Sequence, residues 1–408
     1  MFLTYGRAQP PFGKDAQGEL VHISEARRGD ACGLSCPFCD GALTARQGDV
    51  VGHHFAHQAD TCRPASAEGE EFIPSYEGYF TLGLTPAQRR VMDAILKQHG
   101  DDRRFFDAGY HLTTLRALEA KHFLDLILDP WRYGGGYHAV ARATDKALAF
   151  GGRLSLAGYA AFMWSEFRRS RAALSRRDDP EAPTMLRMLE MEMARVERTA
   201  LYLLKIEADG QLIHKIGITA RPIEARVAEV ETFLKGHFGK LAITPLVYLL
   251  SIPYVEGYFK ARHAAHQLPI GPATEYFDLG EDFGRVQAEL SELAMALEKG
   301  FEPKKVKAQD TPGRPRFRAI FAGYDRRRRR SDFSYGYDYE MLVRLDDVAY
   351  LSTGERFTDH SITFALGKAF EALGSLRRGD VIEFNAAVES AGYFSHKLSR
   401  PTKAALNL

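Results

Sequence analysis

Two residue pairs near the start of the chain have the types and spacing of a metal site. Cys36 and Cys39 are separated by two residues in "CPFC", and His54 and His57 follow in "HFAH" after a span long enough for a hairpin. A d10 ion such as zinc takes four soft or borderline ligands at tetrahedral angles, and a Cys-x-x-Cys turn brings two sulfurs to one side without strain. Cys36, Cys39, His54 and His57 are therefore the expected zinc ligands. Cys32, His53 and Cys62 lie nearby, so one of them is able to replace a nominated residue. Little apolar sequence surrounds these residues. The segment is expected to lean on the ion for its fold, a contribution on the order of 10 kcal/mol in structural zinc sites.

Further groups along the chain suit phosphate and nucleic acid. Arg226 stands in the first turns of the proline-started helix "PIEARVAEV", straight after the strand "HKIGIT", and a guanidinium offers a planar fork to a phosphate. Glu256, Lys260 and His263 recur at four- and three-residue spacing in "YVEGYFKARHAAHQL", which puts them along one side of a helix. Near the C-terminus five consecutive arginines, Arg326, Arg327, Arg328, Arg329 and Arg330, are expected in a loop between two strands. Phe333, Tyr335, Tyr337 and Tyr339 follow at every second position, so on an extended chain they project to one side and can stack unpaired bases. Tyr335 and Tyr337 are the expected base contacts. Tyr339 shares its parity with the apolar Met341, Val343 and Leu345 and is alternatively core.

The elements that must position these groups follow from pattern. The chain has 408 residues and 45% hydrophobic content, which suits two to four domains with real cores. Lys and Arg number 54 against 53 Asp and Glu, so net charge excludes no partner and any electrostatic footprint is local. The N-terminus "MFLTYGRAQPPFG" lacks the regions of a signal peptide, and no run of about 18 apolar residues occurs; a cytoplasmic protein that does not enter a membrane is expected. All four cysteines fall between Cys32 and Cys62, which favours metal ligation over a disulfide framework.

Residues 1–70 form the zinc-binding segment. In 76–150, Thr85 is an expected N-cap with Pro86 behind it, a second helix covers Thr113 to Ala120, and two strands flank Gly134–Gly136. That order resembles a winged helix-turn-helix domain, with Leu115, Leu118 and Phe123 buried and Thr113, Thr114, Arg116 and Lys121 facing a duplex. A helical packing module is the alternative. Residues 154–199 read as a connector of two helices broken at Pro180 and Pro183, with an apolar stripe (Leu186, Leu189, Met193, Val196) suited to packing or to a homodimer. In 200–300, "LYLLKIEADGQLIHKIGIT" is two strands joined at Asp209-Gly210, and Ile223, Val227 and Val230 of the next helix face the sheet. In 312–408, strands with one helix near "GKAFEALGSL" suggest an OB-like β-barrel.

Two stretches resemble known families. The Cys-Pro-x-Cys knuckle with "HFAH" resembles the zinc-binding N-terminus of competence-type (CoiA-like) proteins, which implies association with DNA. Residues Ala200 to Leu279, with the hairpin, "KIG", the arginine helix and "TEYFDL", resemble the GIY-YIG nuclease superfamily, in particular a phage-type branch whose second tripeptide reads Lys-Ile-Gly. The resemblance puts the first signature tyrosine on Tyr202, the helix arginine on Arg226 and the metal-binding glutamate on Glu256. Lys215 stands where many relatives carry a second tyrosine.

The expected fold is thus multidomain α+β: zinc knuckle, winged-helix-like module, GIY-YIG-type nuclease domain with a small antiparallel sheet, and OB-like barrel. The implied activity is a metal-dependent DNA endonuclease. Tyr202, Lys215, Arg226 and Glu256 are its catalytic residues, zinc is structural, and Mg2+ or Mn2+ sits on Glu256. The alternative is a non-catalytic DNA-binding regulator or adaptor with a degenerate nuclease fold. Phage defence and element mobility both fit such a protein.

Overall fold

In the computed structural model, the residues described are 11–47, 53–60, 62, 84–99, 104–130, 137–252, 254–271, 273, 275–301, 313–330, 337–390 and 396–407. Short strands come first along the chain. β1 (Phe12–Lys14) pairs with β2 (Leu20–His22), and β3 (Leu43–Arg46) with β4 (His54–His57), both antiparallel. Ile23, Leu34, Leu43, Ala45 and Phe55 make a small core here together with Cys36.

Helix α1 (Pro86–His99) starts as its sequence requires: Gln88 N donates to Thr85 Oγ1 (3.3 Å) while Thr85 N donates to Gln88 Oε1 (3.0 Å), a reciprocal capping box. Then follow β5 (Phe106–Asp107), α2 (Leu112–Ala120), β6 (Leu124–Pro130) and β7 (Tyr137–Ala143), with the sheet order β5-β7-β6. Leu115, Leu118 and Phe123 are buried and Thr113 and Arg116 exposed, as the apolar spacing predicts. The Gly134–Gly136 turn lies outside the described residues.

After α3 (Asp145–Phe150), α4 (Leu156–Ser175) and α5 (Ala182–Arg198) are separated by a stretch that contains Pro180, whose missing N–H and fixed φ bar one continuous helix. β8 (Ala200–Ala208) and β9 (Gln211–Thr219) form a hairpin in full register from Ala200↔Thr219 to Ala208↔Gln211. Its two-residue turn has positive φ at both Asp209 (48°) and Gly210 (85°), the conformation that matches strand twist and that Asp-Gly adopts at least cost. α6 (Ile223–Leu234), β10 (Leu241–Leu250), α7 (Val255–Arg262), β11 (Tyr276–Phe277) and α8 (Phe283–Lys299) complete this part. The sheet order is β10-β8-β9-β11. Ile223, Val227, Val230 and Leu234 of α6 pack on Tyr202, Leu204, Ile206 and Ile213, so one apolar helix stripe closes one sheet face. Each such buried side chain contributes about 1.5–3 kcal/mol.

The last part has β12 (Arg316–Arg330), β13 (Tyr337–Tyr350), β14 (Ile362–Ala365), α9 (Lys368–Glu371), β15 (Val381–Ser390) and β16 (His396–Leu406). The antiparallel order is β14-β13-β12-β15-β16 around a core that includes Phe317, Val343, Leu345, Phe364 and Phe384. The expected arginine loop is instead strand: Arg326 to Arg330 pair with Met341 to Tyr337. Alternation along the partner strand extended the ladder further than a run of like charge suggests. Tyr339 is half exposed and Arg326 lies 4.1 Å over its ring, so it is surface and not core. Tyr335 lies outside the described residues, while Tyr337 opens β13.

The fold is mixed α+β with several small antiparallel sheets, and it divides into two compact units. Met1–Leu84 with Gly152–Phe301 gathers the zinc-binding segment, the α4–α5 pair and the β8–β11 sheet. There Phe12 and Leu20 pack on Met188 of α5, and Arg187 pairs with Glu19 at 2.6 Å, so α5 serves as an internal support. Leu189 and Val196 of its expected stripe are buried. Thr85–Gly151 with Glu302–Leu408 is the second unit. Arg142 holds it together: its guanidinium forms a two-pronged bond with Asp125 (2.6 and 3.0 Å) and lies over the rings of Phe105 and Tyr324. No helix among the described residues is long and apolar enough to cross a membrane.

Candidate functional site

In the zinc-binding segment, Cys36, Cys39, His57 and Cys62 present one ligand atom each, all within 4.8 Å of one another. The Cys36 Sγ to Cys62 Sγ distance is 3.7 Å and Cys39 Sγ to His57 Nε2 is 3.4 Å. A tetrahedron with zinc–sulfur bonds of about 2.3 Å and zinc–nitrogen bonds of about 2.0 Å has edges of roughly 3.8 and 3.5 Å. Two edges of the cluster match these lengths and all four donors lie within 4.8 Å, so the cluster can hold a structural zinc. One expected ligand is corrected. His54 and His57 are three apart on β4, and side chains alternate across a strand, so they leave opposite faces. Only His57 faces the cysteines; Cys62 takes the fourth corner. Burial pushes the Cys36 thiol up to about 12, while a backbone hydrogen bond from Gly41 lowers that of Cys39. A cation among these sulfurs offsets the burial that disfavours the Cys36 thiolate.

The second site lies on the β8–β9 sheet. In a ladder, directly opposed residues share a face, and Tyr202 is opposed by Gly217 on β9 and by Tyr248 on β10. Lys215 is two residues from Gly217 and thus on the same face, opposed by Leu204 on one side and Tyr276 on the other. Gly217 is needed for room: a Cβ there would lie 2.3 Å from Tyr202 Oη and 2.5 Å from Cζ. The tyrosine ring lies over the glycine, and its hydroxyl accepts a hydrogen bond from Arg226 Nε at 3.0 Å. α6 carries Arg226 beside its buried stripe and so aims it at this face. The arginine is braced from behind, since Arg226 Nη1 bonds Glu229 Oε2 at 2.8 Å and Glu229 also takes Arg221 at 2.5 Å.

Lys215 is buried. Its ammonium donates to Glu275 Oε1 at 2.9 Å and lies 4.5 Å from the centre of the Tyr276 ring. Burial lowers its pKa and Glu275 restores part of the loss. Glu256 on α7 is mostly buried and pairs with Lys260 one turn on, at 3.1 Å; burial raises its carboxyl and Lys260 pulls it back. His263, expected on the same helix side, follows α7 and is buried, its ring tilted against that of Phe259 with centroids 4.4 Å apart.

These groups sense one another. The charges of Glu256 and Glu275 both act on the Tyr202 hydroxyl, whose pKa burial raises, and Glu256, Glu275 and Arg226 all act on Lys215. Tyr202 with Arg226 and Lys215 with Glu275 are the bonded pairs here, while Glu256, bonded to Lys260, acts on them through charge alone. Glu275 was not singled out from sequence as a site residue. A buried lysine on a strand requires a counter-charge, and "TEYFDL" supplies it through Glu275, next to the Tyr276 that pairs with Lys215. Tyr202 and Lys215 are buried and bonded, so the partly exposed charges here are Arg226, Glu256 and Glu275, which suit an anion together with a hard cation.

Comparison of the chain with family models, with curated proteins and with solved structures finds no match.

Proposed function

We propose that this protein is a metal-dependent DNA endonuclease of the GIY-YIG type. The observation that carries the reading is the 3.0 Å bond between Tyr202 Oη and Arg226 Nε, over Gly217, in electrostatic contact with Lys215, Glu256 and Glu275. In the reaction a water oxygen bonds to phosphorus, one P–O ester bond breaks, and the proton of the water passes to the departing alkoxide. Arg226 binds the equatorial phosphate oxygens, where negative charge grows. Tyr202, fully buried over Gly217, positions the Arg226 guanidinium through its hydroxyl, and the burial that raises its pKa keeps that hydroxyl neutral. Lys215, held by Glu275, adds a fixed positive charge beneath the site.

Glu256 fits a hard divalent cation, for Mg2+ is commonly held by one or two carboxylates with most of its waters retained. Lys260 neutralises the same carboxylate in its absence. Bound there, Mg2+ or Mn2+ would acidify a water and neutralise phosphate charge. Structural zinc on Cys36, Cys39, His57 and Cys62 would fix the N-terminal segment against α5.

The second unit would hold DNA. Two helices with β5 between them, and a sheet of order β5-β7-β6, support the winged-helix-like reading. The order β14-β13-β12-β15-β16, with α9 between its third and fourth strands, supports the OB-like reading. The β12–β13 ribbon, in which Arg326 to Arg330 pair with Met341 to Tyr337, would supply contacts to phosphates and bases. The Glu256–Lys260 pair favours one rival, a DNA-binding regulator whose nuclease site no longer takes a cation. Incubation with supercoiled plasmid separates the two: Mg2+-dependent nicking that chelator and Glu256→Gln both abolish supports the nuclease, and plasmid bound but never nicked supports the regulator.

A further inference from the structure

The row that contains Tyr202 extends past the site. β10 is an edge strand, and Tyr248 on it is directly opposite Tyr202, with Leu250 opposite Ala200 two positions on. All four residues therefore share the face that carries Arg226. Toward the other end of β10, Leu241 and Ile243 on this face pack under α6. Beyond the start of α6 the cover stops: Tyr248 keeps 42% of its surface and Leu250 53%, among the largest exposed apolar side chains in the chain. Tyr202 leans the other way, over Gly217, so Tyr248 is left standing beside the Tyr202–Arg226 pair and open to solvent.

We infer that Tyr248 and Leu250 form a stacking platform for an unpaired nucleobase adjoining the scissile phosphate, so that the site acts on an unstacked strand. This rests on the nuclease reading. Opposed Cα atoms in an antiparallel ladder are about 5 Å apart. A nucleotide whose phosphate meets Arg226 therefore brings its own or its neighbour's base over Tyr248. An exposed tyrosine ring beside a leucine accepts any base face, which is how single strands are gripped without sequence preference. A second copy of the chain is the less favoured occupant of this edge. Pro245 lacks an N–H for a new ladder, and the register shifts between Pro245 and Val247, two devices that blunt edge pairing.

The test uses the full-length protein with Tyr248→Ala, Tyr248→Phe and Glu256→Gln changes. Tyr248→Phe should melt like wild type and Tyr248→Ala should stay folded with a small loss of stability, because the side chain keeps 42% of its surface. On single-stranded DNA with Mg2+, Tyr248→Ala should raise KM about tenfold with kcat little changed, and Tyr248→Phe, which keeps the ring, should restore wild-type KM. In the Glu256→Gln background, oligonucleotides carrying 2-aminopurine at staggered positions should show stacking-induced quenching at one position. That quenching should vanish with Tyr248→Ala and persist with Tyr248→Phe. Wild-type cleavage with Tyr248→Ala kinetics unchanged would overturn the platform and leave the nuclease intact. A sedimentation change on Tyr248→Ala, with DNA kinetics unchanged, would assign the edge to a second copy and likewise overturn it. Absence of cleavage by the wild type would instead remove the nuclease reading itself.

Discussion

Gly217→Ala puts a single methyl group into the centre of the site. Its carbon would sit 2.3 Å from Tyr202 Oη, 2.5 Å from Cζ and 3.1 Å from Cε1, against an optimum of about 3.5–4.0 Å for such contacts. Tyr202 is fully buried, with Val230 and Tyr276 in its cluster, so the ring has no vacant space to enter. Overpacking of this kind costs about 1–3 kcal/mol. Moving the ring also breaks the 3.0 Å bond from Arg226, and a hydrogen bond to a charged group contributes about 1.5–3 kcal/mol. The two losses share one ring and do not add in full, so about 2–4 kcal/mol is expected. For a unit of this size that lowers the melting temperature by roughly 10 °C. Displacing Tyr202 and Arg226 should lower kcat by about a hundredfold, since misplacement on the order of 1 Å has that effect. Gly284→Ala is the matched control. Nothing lies within 4 Å of its added carbon, and replacing a helical glycine should stabilise by about 0.5–1 kcal/mol. Calorimetry and plasmid nicking measure both variants. Equal melting temperatures for the two, with cleavage retained in Gly217→Ala, would refute the close approach of Tyr202 and the dependence of the site on it.

The remaining predictions concern metal, acid and salt. Cys62→Ser should abolish tight zinc binding and lower thermal stability, whereas His54→Ala should retain one zinc per chain; metal analysis after dialysis checks both, and the reverse pattern would restore His54 to the ligand set. Burial holds His22 and His263 at about 3 and about 4, so both stay neutral in the fold. Unfolded imidazoles take a proton near pH 6.5, so the unfolded chain binds more protons below that value. Their contribution to stability is full above about pH 6.5 and falls toward pH 4, by about 1.4 kcal/mol per pH unit for each histidine. Denaturant midpoints across this range should fall less steeply for His263→Gln than for wild type. Alanine at Arg326 to Arg330 should weaken DNA binding and reduce its salt slope by roughly 0.9 for each arginine that meets a phosphate; an unaltered slope would place the ribbon in bulk solvent.

Local signals carried much of the architecture. The Asp209-Gly210 turn, the Thr85 cap, the break near Pro180 and the apolar stripe of α6 are decided within a few residues by backbone chemistry, and each stands where the sequence puts it. Non-local pairing was harder to read. His54 and His57 look equivalent as text, but strand alternation separates them, and Cys62 reaches the metal cluster only through the fold. The arginine run reads as a solvated loop until its pairing with β13 is known. Glu275 pairs with Lys215 across 60 positions, a contact no local period announces. The short strand β14 also escaped notice, since its four residues alternate too briefly to stand out.

A crystal structure with a non-hydrolysable phosphorothioate strand and Ca2+ tests the central claim most directly. One phosphate should lie against the Arg226 guanidinium, with the cation on Glu256. Nucleic acid bound with every phosphate remote from those two side chains would contradict it.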